Sequence, residues 1–126
     1  MAINTVANIT SLNYPEFYPT HLSYNWVITS ETDHNGTFIV TINDLHLESG
    51  YDVLRIGRGD WIIPNRTVAA ISHLYFPRTI SIVGPAMWIK FTSDHTVTER
   101  GFHLQVKRVY NNITGKVWLM RMRIYW

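Results

Sequence analysis

The stretch at residues 47–59 reads LESGYDVLRIGRG. Leu54 and Ile56 alternate with Val53 and Arg55, the two-residue period of a strand with one buried face. A Ser-Gly pair just ahead marks a turn. Glu48 and Asp52 flank that turn, so two acids stand at the entrance of a strand, where a sandwich exposes its loops. A third acid, Asp94, closes WIKFTSD (88–94) at the end of another apolar strand. Three carboxylates at strand ends would make a hard-cation site if the fold brought them to one end.

The surrounding chain follows the same period. Tyr24, Trp26 and Ile28 alternate with Asn25, Val27 and Thr29, and Phe38, Val40 and Ile42 alternate with Thr37, Ile39 and Thr41. With the turn ETDHNG (31–36) between them, these two runs read as a hairpin. Further strands are expected at Tyr51 to Ile56, Val68 to Tyr75, Thr79 to Val83, Ala86 to Thr92 and Phe102 to Lys107, with at most an edge strand before Thr10. SLNYPEFYP (11–19) is a stiff coil, because each proline holds its preceding residue extended. No 3.6-residue apolar period lasts over a helix length. The pattern predicts an all-β fold, an antiparallel two-sheet sandwich or a barrel.

At 126 residues, 46% hydrophobic and 16% charged, the chain is sized for one independently folding domain. The formal charge is +2, with acids crowded into residues 44–60 and none after Glu99. The basic balance therefore reflects the C-terminal region, which points away from nucleic acid as a partner. No apolar run approaches the ~20 residues of a spanning helix, so no membrane span is expected. Met1 to Asn4 lack the basic start and apolar run of a secretory leader, as expected of a trimmed chain.

There are no cysteines, which leaves the compartment open. The sequons at Asn8, Asn35, Asn65 and Asn112 favour secretion.

The C-terminal KVWLMRMRIYW (116–126) alternates Met120, Met122, Ile124 and Trp126 with Arg121, Arg123 and Tyr125. One reading is an edge strand whose arginines oppose edge-to-edge pairing. Another is a patch for sulfated glycan or an anionic surface. Arg58-Gly59-Asp60 is an Arg-Gly-Asp tripeptide in a loop, and Trp61 beside it is the aromatic placed to meet a partner, with half-buried packing as the competing expectation. The spacing of His21, His34, His46, His73, His95 and His103 offers no zinc pair. Trp26, Phe38, Trp88 and Phe102 are expected in the core. No nucleophile elbow, His-Glu-x-x-His or complete nucleotide loop is present, so no catalysis is expected.

In order, TSLNYPEFYP, Trp26-Val-Ile, TFIVTINDLHLE, YDVLRI, MWIKFTSD and GFHLQV resemble the CUB domain from Ile9 to about Tyr110. The resemblance implies a jelly-roll sandwich that serves as an extracellular binding module without catalysis. It divides the chain into a CUB-like domain at 1–110 and a basic, aromatic strand or tail at 111–126. The family usually carries two disulfides. Tyr24 and Ser49 stand where two of the cysteines are expected, and a third near residues 71–73 is also missing. A bridge is worth ~2–4 kcal/mol, so aromatic packing must carry more of the stability here.

Many CUB domains bind one calcium ion. The resemblance carries that site onto Glu48, Asp52 and Asp94, with a carbonyl near Thr96 as a further ligand and the Tyr18 hydroxyl bracing a carboxylate. The implied affinity is weak, ~10⁻⁴ to 10⁻³ M. It also implies an extracellular protein partner that inserts a lysine or arginine at the acidic end. The short Glu48–Asp52 spacing and Val97, where an oxygen-bearing side chain often helps, depart from the pattern. The second functional reading is a glycan-binding or adhesive module using exposed aromatics and the basic C-terminal strand, with Arg58, Asp60, Trp61, Arg121 and Arg123 as candidate partner contacts.

Overall fold

The computed structural model describes residues 2–3, 6–30, 36–48, 51–73, 77–110 and 120–125. Its strands are β1 (Ala2–Ile3), β2 (Val6–Thr10), β3 (Ser23–Ser30), β4 (Gly36–His46), β5 (Val53–Arg58), β6 (Thr67–Ile71), β7 (Arg78–Val83), β8 (Ala86–Thr92), β9 (Gly101–Tyr110) and β10 (Met120–Tyr125). A 3-10 turn, Pro64–Arg66, leads into β6. All pairings are antiparallel, in a six-stranded sheet of order β1-β10-β3-β8-β5-β6 and a four-stranded sheet of order β2-β9-β4-β7. The fold is the two-sheet β-sandwich expected from the period-two pattern.

The expected hairpin between the Trp26 and Phe38 strands is not formed. β3 pairs with β8 and β10 in one sheet, while β4 pairs with β7 and β9 in the other. Alternation fixes which face of a strand is buried and leaves its neighbour open.

The inner faces interlock through aromatic rings. Phe102 meets Phe91 edge-on at 5.2 Å and Trp26 at 5.9 Å, and Tyr24, in an expected cysteine position, stacks on Trp26 at 5.3 Å. Such pairs each add roughly 0.5–1.5 kcal/mol beyond burial, so ring contacts contribute stability in a chain without bridges. Trp88 departs from the expectation of a core tryptophan. It is 1% exposed but occupies the outward phase of β8, between the inward Met87 and Ile89. Its indole lies against Gly57, where an added Cβ would fall 2.0 Å from the ring.

In β4 the register shifts between Ile42 and Asp44. Phe38, Val40 and Ile42 face inward before this bulge, and Leu45 and Leu47 after it. A single extra residue reverses the phase of a strand, and this one turns Asp44 out of the core. Asp44 there takes a two-pronged ion pair from Arg100, with Nε to Oδ2 at 2.8 Å and Nη2 to Oδ1 at 2.6 Å. Tyr14 also donates to Oδ2 at 2.6 Å.

The C-terminal segment supplies β10, which lies between β3 and the two-residue β1. Met120 is buried in the core, while Arg121 and Arg123 are exposed. No helix among the described residues is long and apolar enough to cross a membrane.

Gly57→Ala is expected to lower stability by roughly 1–3 kcal/mol through overpacking against Trp88, measured as a loss in urea midpoint. The Arg100 guanidinium holds the Asp44 carboxyl down at about 2 from 3.8. A depressed carboxylate stabilises fully above its unfolded pKa and loses that contribution as pH falls through the folded one. Asp44→Asn should therefore cost about 1 kcal/mol at neutral pH, and the gap from the parent should close between pH 4 and 2 in denaturant titrations.

Candidate metal centre at one pole of the sandwich

The end of β4, the start of β5 and the end of β8 converge at one pole. Glu48 follows β4, Asp52 precedes β5 and Asp94 follows β8. The Glu48–Asp52 connection is closed by Tyr51 and Asp52 N–H groups donating to the Glu48 carbonyl at 3.1 and 3.0 Å. β5 and β8 are direct neighbours, with Val53 opposite Thr92, so their acids meet as well. One carboxylate oxygen from each of Glu48, Asp52 and Asp94 lies within 4.8 Å of the others.

Asp52 is completely buried. Its Oδ2 accepts from the Tyr18 hydroxyl at 2.5 Å and its Oδ1 accepts from the Asp94 N–H at 2.8 Å. Each carboxylate oxygen retains a lone pair beyond these bonds. The Tyr18 hydroxyl accepts in turn from the Glu48 N–H at 3.2 Å, and its ring sits edge-on to Phe91 at 5.0 Å. Burial and the Asp52 carboxylate push the Tyr18 hydroxyl pKa well up, so it remains a donor.

Asp94 accepts from the Thr96 N–H at 3.1 Å and from its hydroxyl at 3.3 Å. The Thr96 N–H is the main reason its carboxyl is held below the usual range. Glu48 is pushed the opposite way, first by loss of solvent and then by the Asp94 carboxylate. Its Oε1 is shielded from solvent and has no hydrogen-bond partner.

These observations fit a hard divalent cation. Such an ion takes six to eight oxygens, and the pole offers three carboxylates, one with an unsatisfied shielded oxygen. A cation between them would offset the repulsion that raises Glu48.

The rest of the frame was not visible as a site in the sequence. Ser93 Oγ accepts from the Leu22 N–H at 2.8 Å and donates to the Pro19 carbonyl at 3.0 Å, while His21 N–H donates to the Asp94 carbonyl at 2.8 Å. These bonds hold the 19–22 segment against the acidic loop. A polar residue directly before Asp94 at a strand end is the only hint the sequence carries.

The other candidate residues lie elsewhere. Arg58, Asp60 and Trp61 are at the opposite end of β5 from Asp52, about 20 Å or more along the strand. All three are exposed, and Trp61 at 74% has none of the half-buried packing weighed for it. Arg121 and Arg123 pair with Thr29 and Val27, toward the far end of β3 from Ser23. Asn8 and Asn65 are exposed, whereas Asn35 and Asn112 lie outside the described residues.

Comparison with known proteins agrees with this architecture. Tolloid-like protein 1 of Mus musculus is 30% identical over 96 residues, covering 75% of this chain and 9% of that protein. The chain thus spans about a tenth of that relative's length. The full extracellular region of zebrafish Gpr126/Adgrg6 aligns with a TM-score of 0.71 at 27% identity, covering 85% of this chain and 14% of that one. The MASP-1 CUB2 domain bound to Ca2+ aligns with a TM-score of 0.55 at 20% identity, covering 82% and 92% of the two chains. A family model described as CUB domain matches residues 2–106, and with both sheets inside or overlapping that span, the chain belongs to the CUB domain family.

Proposed function

We propose that this chain is an extracellular, non-catalytic recognition module that docks a protein partner through the Glu48/Asp52/Asp94 pole with a calcium ion bound there. CUB domains are in general interaction modules of extracellular proteins, and the finer reading rests on this pole. The observation that carries it is that Glu48, whose Oε1 is shielded and unpartnered, places a carboxylate oxygen within 4.8 Å of oxygens of Asp52 and Asp94. The calcium-bound MASP-1 CUB2 domain has the same fold, which makes the reading coherent with a relative.

Glu48, Asp52 and Asp94 would hold the ion, a carbonyl near Thr96 and water would complete its shell, and the ion would supply positive charge. The chain's own part is orientation. Tyr18 and the Asp94 N–H fix Asp52, while Thr96 fixes Asp94. Three carboxylates against a divalent cation leave a net charge of about one negative. A lysine or arginine of the partner would meet that charge at the exposed rim. The reading uses none of the Arg58–Trp61 loop.

Calcium at ten times its dissociation constant should stabilise the domain by about 1.4 kcal/mol, which raises Tm by about 3–6 °C over the value in chelator. Glu48→Gln should abolish that rise. Because the folded-state pKa of Glu48 is raised, its ionisation opposes folding, and this effect is absent below the unfolded pKa. In chelator at neutral pH, Glu48→Gln should therefore melt no lower than the parent, and any advantage should vanish in acid. No Tm rise with calcium in the parent, or an undiminished rise in Glu48→Gln, would remove calcium from the account.

A further inference from the structure

The six-stranded sheet contains five cations, Arg55, Arg58, Lys90, Arg121 and Arg123, and no Asp or Glu in any of its strands. Arg55 on β5 and Lys90 on β8 are direct cross-strand partners. Both lie in the outward phase of their strands and are half-buried. Like charges directly opposite each other repel. Among the described residues neither has a carboxylate within ion-pair distance.

Beside this pair the sheet is hollowed. Trp88 lies down on Gly57 and donates from Nε1 to the Arg58 carbonyl at 3.2 Å. The returning segment brings Ile62, Pro64 and Thr67 over the same strands. Together with Trp88, Arg55 and Lys90 they line a recess of about 340 Å³. That is the lower end of the range for small-ligand sites, and more than one carboxylate side chain fills. Cationic character continues across the face. Arg123 is exposed in the register row that crosses Val27, Trp88 and Gly57, two strands and two residues from Lys90, or about 12 Å.

We infer that this outer face binds an acidic polysaccharide, with one sulfated or carboxylated sugar unit seated in the recess between Arg55 and Lys90. The two cations take the anionic substituent, which removes their mutual repulsion. Ile62 and Pro64 supply apolar wall to the sugar ring. Arg123 takes charge on a neighbouring unit, and repeated charge at this spacing is a property of a polymer. An acidic protein segment would use the cations but leave the recess unfilled. No residue is shared with the acidic pole, so this site stands or falls separately from calcium.

The test is calorimetric titration of the intact domain with a heparin-derived octasaccharide, its desulfated counterpart and a polyglutamate peptide. The sulfated octasaccharide should bind equally in calcium and in chelator, weaken as salt rises and bind more tightly than polyglutamate, with weaker binding of the desulfated form, which keeps only its carboxylates. Arg55→Ser and Lys90→Ser should each weaken it about tenfold and flatten its salt dependence, while melting no lower than the parent because a repulsion has been relieved. Thr67→Trp, which keeps every cation and fills the recess, should also weaken it. Equal binding by polyglutamate, by Thr67→Trp or by both serine variants would overturn the proposal, as would loss of binding in chelator or no binding by the parent.

Discussion

One buried carboxylate holds the acidic end of this domain together. Asp52 has no solvent exposure, and a buried charge is tolerated only when its hydrogen bonds are made. Its two oxygens reach the Tyr18 hydroxyl and the Asp94 N–H, while its own carbonyl accepts from Ser72 Oγ at 2.6 Å. The proline-rich coil, the β5 entrance, the end of β6 and the end of β8 are thereby tied to one residue. Exposed loops ordinarily have weak claims on position. Here a carboxylate at the layer boundary gives the three acids a fixed geometry.

The sandwich then separates its chemistry by surface. Acids of the candidate cation centre lie at one pole, where β4, β5 and β8 begin or end. Cations lie on the outer face of the six-stranded sheet, whose strands contain no acid. The bulge in β4 serves the same division, since it takes Asp44 out of the core and delivers it to Arg100. Stability does not rest on disulfides. Tyr24, Trp26, Phe91 and Phe102 form a run of ring contacts across the interior, in keeping with the aromatic content of the chain.

Much of this was legible from residue types and their spacing. Alternation located β5, β7, β8 and β9 to within a few residues, because each buries one face and leaves the other wet. It also located the Trp26 and Phe38 strands but not their partners, which lie in different sheets, since nothing in a period of two names the neighbour. Trp88 was read as core for its size and strand position, yet it is buried on the outer phase of β8, lying against Gly57 of the neighbouring strand. The three acids were found as strand-end carboxylates, but their convergence depends on β5 pairing with β8, nearly forty residues apart in sequence. The Arg55–Lys90 pair needed the register itself. Neither residue is notable until the sheet sets them opposite each other.

The central claim is that the pole organised by Asp52 is a cation site. A crystal structure of the domain grown in calcium, with anomalous data collected to identify the ion, tests it most directly. The account predicts a single calcium peak about 2.3–2.6 Å from oxygens of Glu48, Asp52 and Asp94, with the Tyr18 hydroxyl still bonded to Asp52. A well-ordered pole in saturating calcium with no such peak, or with Glu48 turned away to solvent, would contradict it.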